Sequence, residues 1–421
     1  MFMKFKEKLS TRIGRNSIFS ILDQVLSIGM NFLLSVLFAR YLGAESLGQY
    51  TLGLAIVGIL AIFSNFGITT IMNREIAKFS KKTKLYLGNA LGIKLFISFP
   101  LLIIFTIMTV YIFGYSYDTA YIILLIAIYN TVISSIGYIG SALVSLHRND
   151  ILLIINIVNK FISLVGAFVL LSYGYKLTEL LYLFIFIASI LFIFAIFQVK
   201  IIVPNFKIIF NKRFNKTYIL LSFPLVMASA AEFINLKIDT VFIGSMMDEI
   251  SVGYYSASYN LLMGATLVPL ALTKVYFPNF INYYNDDKNK AFDLFANYNI
   301  YFIGYSIFVG IIFYLLADYF IIFIYGEDFQ SSVAVLRYLS FALILLVLNR
   351  LYNYTLLAMK QNSYYFKITF FGMCINLILN YILILKYGVL GAVFATIATE
   401  MVVVMLGWLK MLNIMRYHNA I

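Results

Sequence analysis

Ten charged side chains lie inside apolar stretches of this sequence that are long enough to cross a membrane. A charge at the centre of a bilayer costs roughly 2.5–3.5 kcal/mol on insertion scales, so retained charges usually face a helix-bundle interior or a water-filled cavity. Residues of this kind mark paths for polar substrates or ions. The six cations and four acids are Lys94, Lys160, Lys237, Lys274, Arg337, Arg350, Asp23, Glu232, Asp239 and Glu400.

The clearest polar face belongs to the apolar run 218–243. At about 100° per residue, Glu232, Asn235 and Asp239 fall within about 60° of one another on a helix. That face presents two carboxylates and an amide at different depths. Lys237 points away from the face, and it either lines a cavity or extends along the helix to the membrane surface.

Two other apolar runs carry polar stripes. Asn156, Asn159 and Lys160 share one stripe of the fifth run, and Asp23 aligns with Asn31 on the first. Asn and Ser stripes also serve as hydrogen-bonding contacts between helices, and that reading stays open for the uncharged members. The pair Gly88 and Gly92 has the GxxxG spacing that allows close helix packing.

Depth divides the intramembrane charges into groups. Four of them lie too deep to reach the membrane surface easily, which favours a water-accessible cavity for Lys160, Glu232, Asp239 and Glu400. Lys94 and Lys274 lie nearer the inner ends of their runs, where an interfacial position is the alternative. Arg337 and Arg350 lie on nearly opposite faces of one run, so at most one of them is expected to line a given cavity.

Motifs for catalysis and for cofactor binding do not occur in a plausible context. We find no HExxH, CxxC or P-loop motif, so neither a cofactor nor a bound metal is expected. The segments between apolar runs are too short for a soluble catalytic domain. The single cysteine, Cys374, excludes an internal disulfide.

Composition identifies lipid as the solvent of this chain. Of its 421 residues, 62% are hydrophobic and 12% are charged, and the mean hydropathy is +0.93. A soluble domain carries about twice that charged fraction. The formal charge of +13 is spread between apolar runs without a contiguous patch, so membrane topology explains it better than nucleic-acid binding does.

The apolar runs predict an all-α polytopic membrane protein with about twelve transmembrane helices. A spanning helix needs about 20 mostly apolar residues. The runs are 16–38, 48–71, 86–113, 119–146, 151–172, 178–203, 218–243, 252–281, 293–316, 331–358, 364–385 and 389–411. The stretch 317–325 is either an interfacial turn or an extension of the ninth run.

Lysines and arginines between the runs predict the orientation. If the N-terminus is cytoplasmic, the outer segments hold only Arg40, Lys176 and Lys386, whereas dense basic groups at 4–15, 74–84 and 200–216 lie inside. The sequence therefore predicts a multi-pass protein of the cell membrane with both termini in the cytoplasm.

A faint internal repeat divides the chain near its middle. The residues Leu-Gly-Gln-Tyr at 47–50 resemble Val-Gly-Tyr-Tyr at 252–255, 205 positions later. The repeat favours two six-helix bundles with the same orientation, a common transporter arrangement. The predicted domains are an N-terminal bundle at 1–204, a cytoplasmic linker at 205–217 and a C-terminal bundle at 218–421.

Four stretches in matching order make the chain resemble the Wzx-type polysaccharide flippases. They are ARYLG at 39–43 with GQY at 48–50, IDTVFIG at 238–244 with VGYYSA at 252–257, YG at 325–326 with VLR at 335–337, and Asn380 with YGVLGA at 387–392. The likeness runs over most of the chain. It implies the multidrug and oligosaccharidyl-lipid exporter superfamily, in which two bundles surround a central cavity.

The resemblance also implies a substrate and roles for the charges. The expected substrate is an oligosaccharide repeat unit on a polyprenyl pyrophosphate, moved from the inner to the outer leaflet. Cavity cations and amides would receive the pyrophosphate and sugar hydroxyls, and the candidates are Lys160, Asn156, Asn159, Lys94, Lys274, Arg337 and Lys237. The acids Asp239, Glu232, Asp23 and Glu400 would bind a coupling H⁺ or Na⁺, or simply pair with the cations. Asp239 falls at the family's acidic position and ranks first.

The sequence is compatible with three functions. The first is a flippase for lipid-linked oligosaccharide in O-antigen or capsule-type polysaccharide biosynthesis, with membrane lipid around it and a polysaccharide polymerase as a possible partner. The second is an ion-coupled multidrug exporter of the same superfamily. The third is a membrane polysaccharide polymerase, which usually needs a larger outer loop than this sequence offers.

Overall fold

The computed structural model describes residues 12–419. Side chains are described throughout that range except at 12–22, 24, 25, 70, 221–225, 227–229 and 417–419. The predicted basic group at 4–15 therefore lies outside the described side chains.

Helices account for the regular structure of the described residues, because hydrocarbon leaves backbone groups no partner outside the chain. There are fifteen α-helices between residues 12 and 419. They are α1 (Arg12–Asn65), α2 (Ile68–Lys78), α3 (Thr83–Ile93), α4 (Phe99–Phe113), α5 (Tyr117–Ser145), α6 (Asn149–Ser172), α7 (Leu177–Ile202), α8 (Lys212–Met246), α9 (Glu249–Ala265), α10 (Leu267–Asp286), α11 (Lys288–Leu315), α12 (Ala317–Tyr325), α13 (Ser331–Ala358), α14 (Asn362–Tyr387) and α15 (Val389–Asn419).

The prediction of an all-α polytopic membrane protein is confirmed. Within the described ranges, nine helical segments are long and apolar enough to cross a membrane, and a tenth counts if α9 and α10, bent by 41° at their junction, form one span. Helix α1 holds the first predicted run and most of the second. It kinks at Gly43, whose φ of 78° suits a residue without a side chain. The stretch 317–325 forms a separate short helix, α12.

The chain divides into two compact units. The first contains residues 1–42 and 52–230, and the second contains residues 43–51 and 231–421. The short segment 43–51, which follows the kink in α1, thus belongs to the second unit together with α9 to α15.

Two glycines of the predicted repeat pack against each other's helix starts inside the second unit. A Cβ atom on Gly48 would lie 1.7 Å from the carbonyl oxygen of Glu249, and one on Gly253 would lie 2.0 Å from that of Ala44. Thr51 and Ser256, also 205 positions apart, share a hydrogen bond of 2.9 Å between their hydroxyls. The contact is reciprocal, because each glycine lies against a backbone carbonyl of the other segment.

The linker after α7 packs on the glycines of α3. Gly88 accepts a hydrogen bond from the amide of Ile209 at 3.1 Å, and Asn89 accepts one from the amide of Asn211 at 2.9 Å. A Cβ atom on Gly92 would lie 2.2 Å from the Ile209 carbonyl oxygen. The GxxxG pair therefore receives an extended linker segment rather than another helix.

Aromatic side chains fill much of the packing between α11, α13 and α15. The only tryptophan of the chain, Trp408, lies 5.9 Å from the ring of Tyr352 and 6.4 Å from that of Phe295, with near-parallel planes. Both partners are buried, Tyr352 at 4% and Phe295 at 1% exposure. Such pairs add favourable contact beyond the apolar area that they bury.

We predict that Gly48→Ala lowers the free energy of unfolding by about 1–3 kcal/mol, because the new methyl group must displace the backbone of α9. Gly264→Ala is the matched control, since a Cβ atom there meets nothing within 4 Å. Thermal unfolding in detergent compares the two. Equal stability of the variants would show that the glycine contact is not tightly packed.

Candidate functional site

Asp239 lies at the centre of a buried hydrogen-bond network in the second unit. Its Oδ2 accepts hydrogen bonds from the Tyr255 hydroxyl at 2.8 Å and the Thr396 hydroxyl at 2.6 Å. Its Oδ1 accepts one from the Asn380 amide at 2.7 Å. Asp239 is only 3% exposed, so the three donors replace the water that the carboxylate loses.

Four helices meet at this carboxylate. Asp239 comes from α8, Tyr255 from α9, Asn380 from α14 and Thr396 from α15. Asn376, one turn before Asn380, accepts a hydrogen bond of 3.2 Å from the same Asn380 amide and lies near Asp239. The network therefore joins the consecutive helices α8 and α9 to the consecutive helices α14 and α15, and Asp239 and Asn380 are 141 residues apart.

The network also contains oxygens suited to a hard cation. The Oδ1 atom of Asn380 is buried and has no hydrogen-bond partner among the described residues. Carboxylate, amide and hydroxyl oxygens are the ligands that hard cations prefer. The arrangement can hold a proton on Asp239, or a small cation after the donor groups turn their oxygens inward.

A second buried carboxylate, Glu400 on α15, has its own amide partners. Its Oε2 accepts a hydrogen bond of 2.6 Å from Asn349, whose oxygen accepts another of 2.7 Å from Asn353. Asn235 of α8 also lies near Glu400. Glu400 is 5% exposed, so these amides compensate its burial.

The polar stripes of α1 and α6 meet in the first unit. Asn156 donates two hydrogen bonds to Asp23, at 3.0 and 3.1 Å, and Lys160 donates one of 3.0 Å to Asn31. Asn31 is exposed, whereas Asn156 and Lys160 are half-buried. The structure thus brings one predicted cation, Lys160, and one predicted acid, Asp23, into one cluster with an exposed edge.

Lys94 lies inside the first unit, directly after α3. It is fully buried, and its ammonium donates a hydrogen bond of 2.7 Å to Asn65. Asn65 ends α1, where helix carbonyls carry partial negative charge that favours a cation. The contact makes Lys94 a packing partner of the break after α1.

The remaining predicted residues lie apart from these networks. Arg337 forms an ion pair with Asp318 of α12, and both side chains are almost half exposed. Glu232 is exposed and accepts a hydrogen bond of 3.3 Å from Tyr365. Lys237 on α8 and Lys274 on α10 are half-buried. Asn159 on α6 is half-buried, and its side-chain oxygen has no hydrogen-bond partner among the described residues.

Comparison with known proteins identifies the family. The family model described as "Polysaccharide biosynthesis protein" matches residues 13–284. The chain belongs to this family.

Two relatives align with most of the length of this chain. One is a probable low-salt glycan biosynthesis flippase, Agl15, of Haloferax volcanii, 25% identical over 394 residues, which are 91% of this chain and 80% of the relative. The other is the capsular polysaccharide biosynthesis protein CapF of Staphylococcus aureus, 24% identical over 402 residues, which are 92% of this chain and 96% of the relative. The predicted Wzx-type resemblance is thereby confirmed.

Solved structures show that this polysaccharide biosynthesis protein shares its fold with exporters. The inward closed form of the lipid II flippase MurJ matches with a TM-score of 0.73 at 18% identity, covering 94% of this chain and 87% of that one. An inward-facing multidrug transporter of the MATE family matches with a TM-score of 0.72 at 14% identity, covering 93% and 96%. Identities this low establish the fold alone.

We predict that Tyr255→Phe lowers the free energy of unfolding of this family member by about 1–2 kcal/mol, because the buried Asp239 loses a donor. Tyr259→Phe is the matched control: it stacks on Tyr255 with ring centroids 5.6 Å apart, and its hydroxyl has no hydrogen bond in the described part of the chain. Thermal unfolding measures both. Equal losses would mean that the hydroxyl of Tyr255 does not stabilise Asp239.

Proposed function

We propose that this chain is a flippase that moves a polyprenyl-pyrophosphate-linked oligosaccharide from the inner to the outer leaflet. The observation that carries the proposal is the family match over residues 13–284, together with two near-full-length relatives named for glycan and capsule biosynthesis. The exporter fold supports transport as the activity, rather than polymerisation.

The polar side chains within the membrane-spanning helices support the same function. A polar head group cannot cross hydrocarbon without polar partners, since each unsatisfied group costs several kcal/mol. Lys160, Asn31 and Asn156 offer donors and acceptors on one accessible cluster in the first unit. Such a cluster suits sugar hydroxyls and phosphate oxygens alike.

We assign ion coupling to Asp239. Its carboxylate holds α9, α14 and α15 through three donors, and a bound H⁺ or Na⁺ competes with those donors for the same oxygens. An ion that binds one arrangement of these helices more tightly shifts the population toward it. Glu400 and Asp23 are further ion-binding candidates, each with amide partners of its own.

The proposed topology completes the function. Twelve spans with both termini in the cytoplasm follow from the apolar runs and the basic inner segments. The halves would be residues 1–204 and 218–421, joined by a linker at 205–217. A flippase of this kind delivers substrate to a polysaccharide polymerase, which is the partner we propose at the outer leaflet of the cell membrane.

We predict that deleting the gene makes lipid-linked oligosaccharide accumulate at the inner leaflet of the source organism, with loss of the exported glycan. Fluorescent-dye efflux serves as the control measurement, because a multidrug exporter would lose efflux and leave the glycan intact. That second pattern would contradict the flippase assignment.

We predict that Na⁺ or acidification raises the thermal unfolding midpoint of the purified wild-type protein and that Asp239→Asn removes the response. A ligand at 100 times its dissociation constant stabilises the native state by about 2.7 kcal/mol. Asp118→Asn, at an exposed outer helix start, should keep the response. A response that survives in Asp239→Asn would assign the ion to another carboxylate.

A further inference from the structure

We propose that Arg350 of α13 binds the phosphate groups of the substrate's head group. The guanidinium is half-buried in the second unit, and its Nη1 atom is buried without a hydrogen-bond partner among the described residues. No carboxylate in the described part of the chain lies within 4 Å of it. The proposal rests on the proposed function and deepens it.

An unpaired cation at this depth needs an anion. Burying a charge without a partner costs several kcal/mol, so proteins retain such charges where a ligand supplies the missing partner. Lys94 and Lys160 each have an amide oxygen as partner. Arg350 differs from them because its inward nitrogen has nothing to donate to in the described structure.

The two arginines of α13 have opposite surroundings. Arg337 is neutralised by Asp318, so an incoming anion would have to displace a carboxylate already in place. Arg350 carries no such pair. The contrast assigns anion binding to Arg350 rather than to Arg337, which was one of the sequence-based candidates for binding the pyrophosphate.

The groups around Arg350 offer a phosphate group further hydrogen-bond donors. Tyr259 of α9 and Tyr354 of α13 lie close enough to the guanidinium to interact with it electrostatically. Their hydroxyls can donate hydrogen bonds to phosphate oxygens. The planar guanidinium binds phosphate through two parallel hydrogen bonds. Phe277 packs edge-on against Tyr354 with ring centroids 5.6 Å apart, which restricts that ring.

Glu232 lies at the exposed side of this cluster and sets its affinity. It interacts electrostatically with Arg350 without forming an ion pair within 4 Å, and Tyr365 holds it through a hydrogen bond. A carboxylate in this position repels a second anion. Removing its charge should therefore strengthen phosphate binding, which is the opposite of what loss of a structural contact would do.

The test measures binding of geranylgeranyl diphosphate to the purified full-length protein in detergent by calorimetry, with geranylgeraniol as the uncharged probe. We expect Arg350→Gln to weaken diphosphate binding about tenfold or more, and Arg350→Lys to weaken it less, because the charge stays and the planar fork is lost. Glu232→Gln should tighten binding. Lys386→Gln removes an exposed cation at the outer end of α14 and should leave binding unchanged.

Diphosphate affinity within about twofold of wild type in a folded Arg350→Gln protein would overturn the proposal. If Arg350→Gln fails to fold, the other two variants decide. The proposal is also overturned if Arg350→Lys does not weaken diphosphate binding and Glu232→Gln does not tighten it. A failure of the proposed function gives a different result. Deleting the gene would then leave the amount of lipid-linked oligosaccharide at the inner leaflet unchanged.

Discussion

Hydrocarbon offers no hydrogen-bond partner, and the described structure is organised around that constraint. Each buried acid that replaces water with amides or hydroxyls ties helices together: Asp239 joins α8, α9, α14 and α15, and Glu400 joins α13 with α15. Partners of this kind stabilise the bundle only while all of them stay in place. The carboxylates that we propose to bind an ion are therefore also the groups that hold the helices together.

Close backbone approach is the second means of satisfying this constraint. The glycines at 48 and 253 let two helix starts touch, and those at 88 and 92 let an extended linker lie against α3. In both places a side chain would push polar backbone groups apart. Backbone contact of this kind gives dispersion contacts that lipid tails cannot replace.

Periodicity predicted which charges share a helix face, but it could not identify their partners. Glu232 and Asp239 lie on one predicted face, yet Tyr255, Asn380 and Thr396 come from other helices, and no pattern along the sequence pairs them with Asp239. The opposite faces of Arg337 and Arg350 were predictable, whereas the ion pair with Asp318 depends on a short helix that the sequence left ambiguous. The repeat at 47–50 and 252–255 was visible as a motif, and only the structure shows its members in contact.

The isolated indole gives the protein a native optical probe. Because Trp408 is the only tryptophan, excitation at the red edge of the protein's absorption band selects this one residue. Trp408 stacks on Tyr352, which lies two positions from Arg350 along α13. Quantum yield and emission wavelength then report the polarity and packing beside that helix without any label. Rearrangements of the second unit thus become observable in real time by stopped-flow fluorescence, while the first unit stays spectroscopically silent.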